Sequence, residues 1–334
     1  MPHRDTIVIG ASAGGVDALI RLAPLLPADL AAAVFVVVHL SPHSNSHLAE
    51  RLSAAGPLPA MAAADGDLIK PSRIYVGVPD RHLMIEGNRV RLTRGPRESH
   101  TRPSIDVLFR SAAFHRGPRT IGVVLTGMLD DGTAGLWAIK DRGGIAITQS
   151  PQEAAYASMP ETAARHVAVD YVVTLERLPA ILQKLTTQEI SVEGAMPDRK
   201  LDIEDQIARE GNGGRDVRSL GPPSFYTCPE CHGSMIAIEE GSIKRFRCHT
   251  GHGFTAAALA ERGLDEIEKT LYSALAQLEE HKSVLRELEQ AARRAADHQA
   301  AERHAAEARE TSRTAQRLRE LTMAPPFSSQ ESSS

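Results

Sequence analysis

The residues best suited to covalent chemistry lie at three places far apart in the sequence. Ser12 sits in the small-residue turn Gly10-Ala11-Ser12-Ala13-Gly14-Gly15, directly after the apolar run Ile7-Val8-Ile9. His39 closes a second apolar run, Val34-Phe35-Val36-Val37-Val38, and Asp130-Asp131 come after a third through Thr126-Gly127-Met128-Leu129. Each reactive group is thus expected at the carboxyl end of a strand, where open α/β sheets hold their ligands. A serine, an imidazole and a carboxylate converging there make a nucleophile, a general base and an orienting acid for acyl transfer. Taken singly, each has a plainer role: Ser12 as a turn residue, His39 as a rim residue, Asp130 or Asp131 as a helix cap.

A second group of chemically capable residues is Cys228-Pro229-Glu230-Cys231 and Cys248-His249-Thr250-Gly251-His252. Two ligand pairs on either side of an expected hairpin can complete a tetrahedron around zinc. Cys228, Cys231, Cys248 and His252 are the expected ligands of a structural Zn(II), with His249 an alternative fourth and His232 a weaker one. All three cysteines lie in this segment, a pattern suited to metal binding in a reducing cytoplasm rather than to disulfides.

The elements that would position these groups are read from the hydrophobic pattern. Strands are expected over 6–9, 34–38, 73–77, 120–125, 145–148 and 171–173. Helices are expected over 16–26, 46–52, 105–114, 133–141, 162–166 and 178–185. Segments 82–85 and 89–92 flank Gly87-Asn88 and read as a hairpin. Apolar strands alternating with amphipathic helices predict an α/β domain, a doubly wound parallel sheet in three layers. The expected boundaries are 1–188 for this domain, 189–223 for a linker with a short helix near 201–207, 224–262 for a zinc-ribbon-like module, 263–323 for a long helical or coiled-coil segment, and 324–334 for a disordered tail. Leu264, Leu271, Leu278 and Leu285 recur every seven residues, so this seam must pack on a second copy, on its own chain or on a partner helix. A homodimer through this helix is the favoured expectation.

Several function classes are disfavoured. The turn resembles the G-x-G-x-x-G of dinucleotide sites, but Ser12 replaces the middle glycine and the second strand ends in His39 rather than a ribose-binding acid. A net charge of −4 gives no general attraction to nucleic acid or anionic lipid, although Lys244, Arg245 and Arg247 gather in the cysteine module. No apolar run is long enough to span a membrane, and no signal peptide is expected. The expectation is a cytoplasmic protein with no nucleic-acid partner and no direct membrane insertion.

Gly10-Ala11-Ser12-Ala13-Gly14-Gly15, Val38-His39, Arg102-Pro103-Ser104-Ile105-Asp106-Val107-Leu108-Phe109 and Leu125-Thr126-Gly127-Met128…Asp131-Gly132 together resemble the protein-glutamate methylesterase of bacterial chemotaxis, the CheB catalytic-domain family. The resemblance spans about 6–185. It implies Ser12 as nucleophile, His39 as general base and Asp131 as acid, Asp131 being preferred to Asp130 because it directly precedes Gly132. It implies the Met128 backbone N–H as an oxyanion donor, and the Ala13 N–H is expected as a second. The implied activity is hydrolysis of γ-glutamyl methyl esters on a chemoreceptor or related signalling protein, with glutamine deamidation on the same site. The rival expectation is a signalling scaffold that keeps the fold without the chemistry. Because the serine turn begins near residue 10, the form expected is one without the family's receiver domain. Arg97, His100 and Arg102 could guide an acidic receptor segment, and His43 with His47 could chelate a metal.

Overall fold

The structure, a computed structural model, describes residues 2–39, 47–191, 198–210 and 217–323, so His43 and the expected tail lie outside the described residues. Apolar runs without polar alternation must be buried on both faces, as in a helix-covered parallel sheet. β1 (Thr6–Ala11) and β2 (Ala33–Val38) are buried at every position. Between them lies α1 (Gly15–Leu22), and α2 (Leu48–Ala55) comes after β2. Then come β3 (Ala60–Ala62), β4 (Arg73–Val76), and the antiparallel hairpin β5 (His82–Glu86) and β6 (Arg89–Thr93). The domain continues through α3 (Ile105–Arg116), β7 (Thr120–Val124), α4 (Thr133–Asp141), β8 (Ile145–Gln149), α5 (Ser158–His166), β9 (Tyr171–Val173) and α6 (Leu178–Thr187).

The main sheet has seven strands in the order β3-β4-β2-β1-β7-β8-β9, all parallel. Alternate residues of β1 and β2 feed two cores. Ile7, Ile9, Val34 and Val36 meet Leu19, Leu22, Leu52 and Leu182 from α1, α2 and α6. Val8, Phe35 and Val37 meet Leu108, Leu136, Ile139 and Met159 from α3, α4 and α5. This is the three-layer doubly wound arrangement, and its strand order reverses around β1. The helix expected over 16–26 ends at Leu22 and continues as a 3₁₀ turn, Ala23–Leu25, because Pro24 cannot extend the α-helical ladder. β3 has no counterpart among the expected strands; it is three residues long and lies at the sheet edge.

The linker expected over 189–223 contains α7 (Arg199–Glu210), longer than the short helix expected near 201–207, with Leu201, Ile203, Ile207 and Ala208 buried. Thr93 Oγ1 donates to the Ala208 carbonyl at 2.6 Å, fastening α7 to the β5–β6 hairpin. A four-stranded antiparallel sheet comes next: β10 (Pro223–Thr227), β11 (Ser234–Glu240), β12 (Ile243–Cys248) and β13 (Gly253–Thr255). Its central hairpin turns at Gly241-Ser242, and Gly241 takes a φ of 59°. The chain divides into two compact units, Met1–Ala258 and Leu259–Ser334, so the expected boundaries at 188 and 223 fall inside the first.

The helical segment is α8 (Ala256–Arg294) and then α9 (His298–Met323), not one uninterrupted helix. Ala296 adopts a φ of 58°, and Asp297 Oδ1 accepts the Ala300 N–H at 2.9 Å, an N-cap that starts α9. Within the second unit, Arg319 of α9 pairs with Glu279 of α8 at 2.6 Å. Ala301, Ala308, Ala315 and Thr322 of α9 are buried at seven-residue intervals, and Leu285 of α8 is buried with them. Of the four seam leucines, Leu285 is buried, Leu271 and Leu278 are half-buried and Leu264 is exposed.

Candidate active site and metal centre

β2, β1 and β7 are neighbours in the sheet, and their carboxyl ends deliver His39, Ser12 and Asp131 to one place. Ser12 Oγ lies 3.1 Å from His39 Nδ1, and His39 Nε2 lies 2.7 Å from Asp131 Oδ2. The order of ring nitrogens sets the tautomer needed for chemistry. Nδ1 must be free to accept the serine proton, while Nε2–H donates to the carboxylate. The serine turn is tied to the β7 loop by Ser12 N–H to Thr126 O at 3.0 Å and Thr126 Oγ1 to Ala13 O at 3.0 Å. Gly14, at φ 71°, opens α1 from this turn. Among the described residues, the Ala13 and Met128 N–H groups have no hydrogen-bond acceptor. Both border the serine, which suits them to receive a developing oxyanion.

Asp131, not Asp130, reaches the imidazole. Its Oδ2 also accepts the Ile105 N–H at 2.8 Å, and its Oδ1 accepts the Ser104 hydroxyl and the Asp106 N–H, each at 3.0 Å. Burial alone would raise this carboxyl. The bond and charge of His39, with the two N–H donors of α3, outweigh burial and hold it below the usual carboxylate range. The neighbouring Asp106 reciprocates: its Oδ1 accepts the Gly132 N–H at 3.0 Å and the Gly135 N–H at 2.6 Å, at the start of α4. Two helices thus cap each other with exchanged aspartates. Burial, then the Asp131 charge, pushes the Asp106 carboxyl up, which leaves Asp131 the ionised member. This close approach needs Gly10, where a Cβ would fall 2.1 Å from Ile105 Cγ2. In the sequence, Ser104, Ile105 and Asp106 are visible only as part of a resemblance motif; nothing in their spacing announces that α3 grips the acid.

Other expected residues are engaged elsewhere. Asp130 Oδ1 accepts the Thr255 hydroxyl at 2.8 Å. Arg102 pairs with Asp80 at 2.6 Å and His100 with Glu230 at 2.7 Å, so two of the three basic residues before α3 serve internal ion pairs. Arg245 and Arg247, which read in the sequence as a basic surface, are 2% and 0% exposed. With Arg110 they share Glu98, Glu204 and Glu240: Arg245 contacts Glu240 and Glu204 at 2.7 and 3.1 Å, Arg247 contacts Glu98 at 2.7 Å, and the Arg247–Glu204 and Arg110–Glu98 pairs complete the network. Burial would raise Glu98, but Arg110, Arg247 and Arg245 hold it far below its ordinary range. The network joins α3, α7 and the second sheet.

Cys228, Cys231, Cys248 and His252 bring their ligand atoms within 4.8 Å of one another. Cys231 and Cys248 Sγ are 3.6 Å apart, and His252 Nδ1 lies 3.7 and 3.6 Å from the Cys228 and Cys248 sulfurs. Zn–S bonds of about 2.3 Å give tetrahedral edges of about 3.8 Å, so the set fits zinc. Thr250 Oγ1 sits 3.2 and 3.0 Å from the Cys231 and Cys248 sulfurs. His249 is exposed and its ring packs on Gly233, where a Cβ would fall 2.0 Å from it, so it is not in the cluster. Neither is His232, which turns the knuckle at φ 56° and donates its N–H to Cys228 O at 2.8 Å.

Comparison with known proteins gives this architecture its relatives. The family model for CheB methylesterase matches residues 7–182, more than half of the chain. A putative protein-glutamate methylesterase/protein-glutamine glutaminase of Leptospira interrogans is 36% identical over 182 residues, 54% of this chain and 94% of that protein. Protein-glutamate methylesterase/protein-glutamine glutaminase 2 of Methanosarcina mazei is 36% identical over 190 residues, 54% of this chain and 52% of that protein. The crystal structure of the Thermotoga maritima CheB methylesterase catalytic domain aligns over all of its own chain and 55% of this one, with a TM-score of 0.53 and 31% identity. The matched part carries Ser12, His39 and Asp131, while the second sheet and the two long helices lie beyond it. By sequence and by fold, the chain belongs to the CheB methylesterase family.

Proposed function

We propose that this chain is a protein-glutamate methylesterase acting through Ser12, His39 and Asp131. The observation that carries the reading is the unbroken hydrogen-bonded path from the Ser12 hydroxyl through His39 to Asp131 at three adjacent strand ends. Ser12 Oγ attacks the γ-ester carbonyl as His39 Nδ1 takes its proton. Asp131 keeps Nε2–H in place and stabilises the imidazolium. The tetrahedral oxygen is received by the Met128 and Ala13 N–H groups, each worth about 3–4 kcal/mol in comparable sites. Collapse expels methoxide, which takes the proton from His39 and leaves as methanol. The same base then activates water, which releases the glutamate carboxylate and restores Ser12. Glutamine deamidation uses the same steps with ammonia leaving, and is slower because an amide has the poorer leaving group.

The substrate class is a methylated chemoreceptor or related signalling protein, met in the cytoplasm, where three thiols remain reduced. A zinc ion held by Cys228, Cys231, Cys248 and His252 would stiffen the second sheet as a closed structural site. It takes no part in the hydrolysis. Among the described residues, no helix is long and apolar enough to cross a membrane. Methanol release from a methylated receptor tests the reading. Ser12→Ala should abolish release while leaving the circular dichroism spectrum unchanged; no release from the folded wild-type chain would reject the reading.

A further inference from the structure

A cavity of about 510 Å³ opens beside the oxyanion loop, walled on one side by Met128 and Asp130 and on another by Ile243 and Lys244 of the second sheet. Its size is that of a small-ligand or side-chain site. It neighbours the proposed centre: Met128 adjoins Gly127, at which a Cβ would lie 2.9 Å from Ser12 Cβ. Arg165 and His166, from the last turn of α5, complete the rim. The second sheet is fastened across this cavity by His166 Nδ1 to Ser242 Oγ at 3.0 Å and by Thr255 Oγ1 to Asp130 Oδ1 at 2.8 Å.

Two cations and one acid, Asp130, line this cavity. Arg165 and Lys244 are both exposed, and among the described residues neither has a carboxylate partner. Lys244 rests its ammonium 5.9 Å from the Phe246 ring centre. Arg102, His100, Arg245 and Arg247 are engaged by Asp80, Glu230 and the buried glutamates. The acid in the wall, Asp130, accepts the Thr255 hydroxyl, and burial pushes its carboxyl up to about 6.

We propose that this cavity, built jointly by the family fold and the second sheet, binds the polypeptide beside the ester, and that Arg165 and Lys244 select segments carrying carboxylates next to the modified glutamate. The inference rests on the methylesterase reading and adds the residues that discriminate among acidic and other segments, on a wall that lies partly outside the family-matched residues. Arg165 and Lys244 are specificity-determining residues here and touch no reacting atom.

The test uses the full chain and synthetic peptides bearing one γ-methyl glutamate flanked by glutamates, glutamines or lysines. Wild type should prefer the glutamate-flanked peptide over the glutamine-flanked one in kcat/KM, and the preference should fade with added salt. In R165E/K244E, the ratio of kcat/KM between glutamate- and lysine-flanked peptides should fall about tenfold or more, as two exposed pairs turn from attraction to repulsion. The change should lie in KM rather than kcat. Both side chains are exposed, so the fold should survive, and Trp137 emission checks this. An unchanged ratio in the folded double variant overturns the inference while the esterase reading stands. Competition by single-stranded DNA with an unchanged ratio would assign the cations to nucleic acid and overturn it too. Absence of hydrolysis of every peptide by wild type would instead reject the esterase reading, and this inference with it.

Discussion

Replacing Asp131 with asparagine changes one oxygen to an NH₂, and the surrounding donors dictate the outcome. Both carboxylate oxygens are fully engaged: Oδ2 by His39 Nε2 and the Ile105 N–H, Oδ1 by the Ser104 hydroxyl and the Asp106 N–H. Whichever way the amide turns, its NH₂ faces one backbone donor of α3, leaving a buried N–H unpaired at about 1–3 kcal/mol. In one orientation it also forces Nε2 to accept, which places the ring proton on Nδ1 against Ser12 and disables the base. In the other the tautomer survives but the negative charge is gone. At about 4 Å and an effective dielectric of about 20, that charge is worth about 4 kcal/mol to the imidazolium, or about 10³-fold in rate. D131N should therefore lower kcat by about 10³- to 10⁴-fold in a methanol-release assay, with KM little changed. Because the folded Asp131 carboxyl lies below its unfolded value, its contribution to stability is full above about pH 4 and is lost as pH falls through the folded value. The stability gap between D131N and wild type should narrow on acidification across that range in urea titrations. A kcat within tenfold of wild type, in a folded variant, would refute the proposed role of Asp131.

Purified chain should contain about one zinc ion. Trp137, the single tryptophan, has its Nε1 within 2.8 Å of where a Cβ on Gly241 would sit, so its emission reports the seating of the second sheet. Chelation or Cys228→Ser should shift that emission, and a metal-free chain with unaltered emission would refute a structural role for the cluster. Glu98→Gln leaves Glu204 and Glu240 alone to balance the three buried arginines Arg110, Arg245 and Arg247, and should destabilise the first unit by about 3–5 kcal/mol in denaturant titration, against less than 1 if the network were solvated.

Much of the fold is legible in the sequence because β1, β2 and β7 are continuous apolar runs ending in polar, small or aromatic-ring residues, a pattern that few arrangements other than a covered parallel sheet can bury. Ser12, His39 and Asp131 can be brought together on paper because a parallel sheet collects its strand ends at one edge. The burial of α7, expected only as a short helix in a linker, is hidden for an instructive reason. Its inward face carries Glu204 and Asp205, both buried, so the helix reads as solvated unless the arginines that meet Glu204 from forty residues away are known. Those arginines read as surface charge by the same logic, since each half of a buried ion pair looks exposed alone. The break between α8 and α9 has a local signal in Asp297, masked by the helix-favouring alanines around it. The grip of α3 on Asp131 has none, since it depends on two helix starts meeting in space.

The exchange of aspartates between α3 and α4 makes the proposed triad acid a keystone in the architectural sense. A side chain that served the imidazole alone could drift by an ångström and be corrected by a loop. Here any drift would uncap a helix on each side of the crevice, so the domain resists the displacement with its whole interior. Substitution at this position therefore perturbs turnover and folding together, and variants that keep one while losing the other should be sought at Ser12 instead.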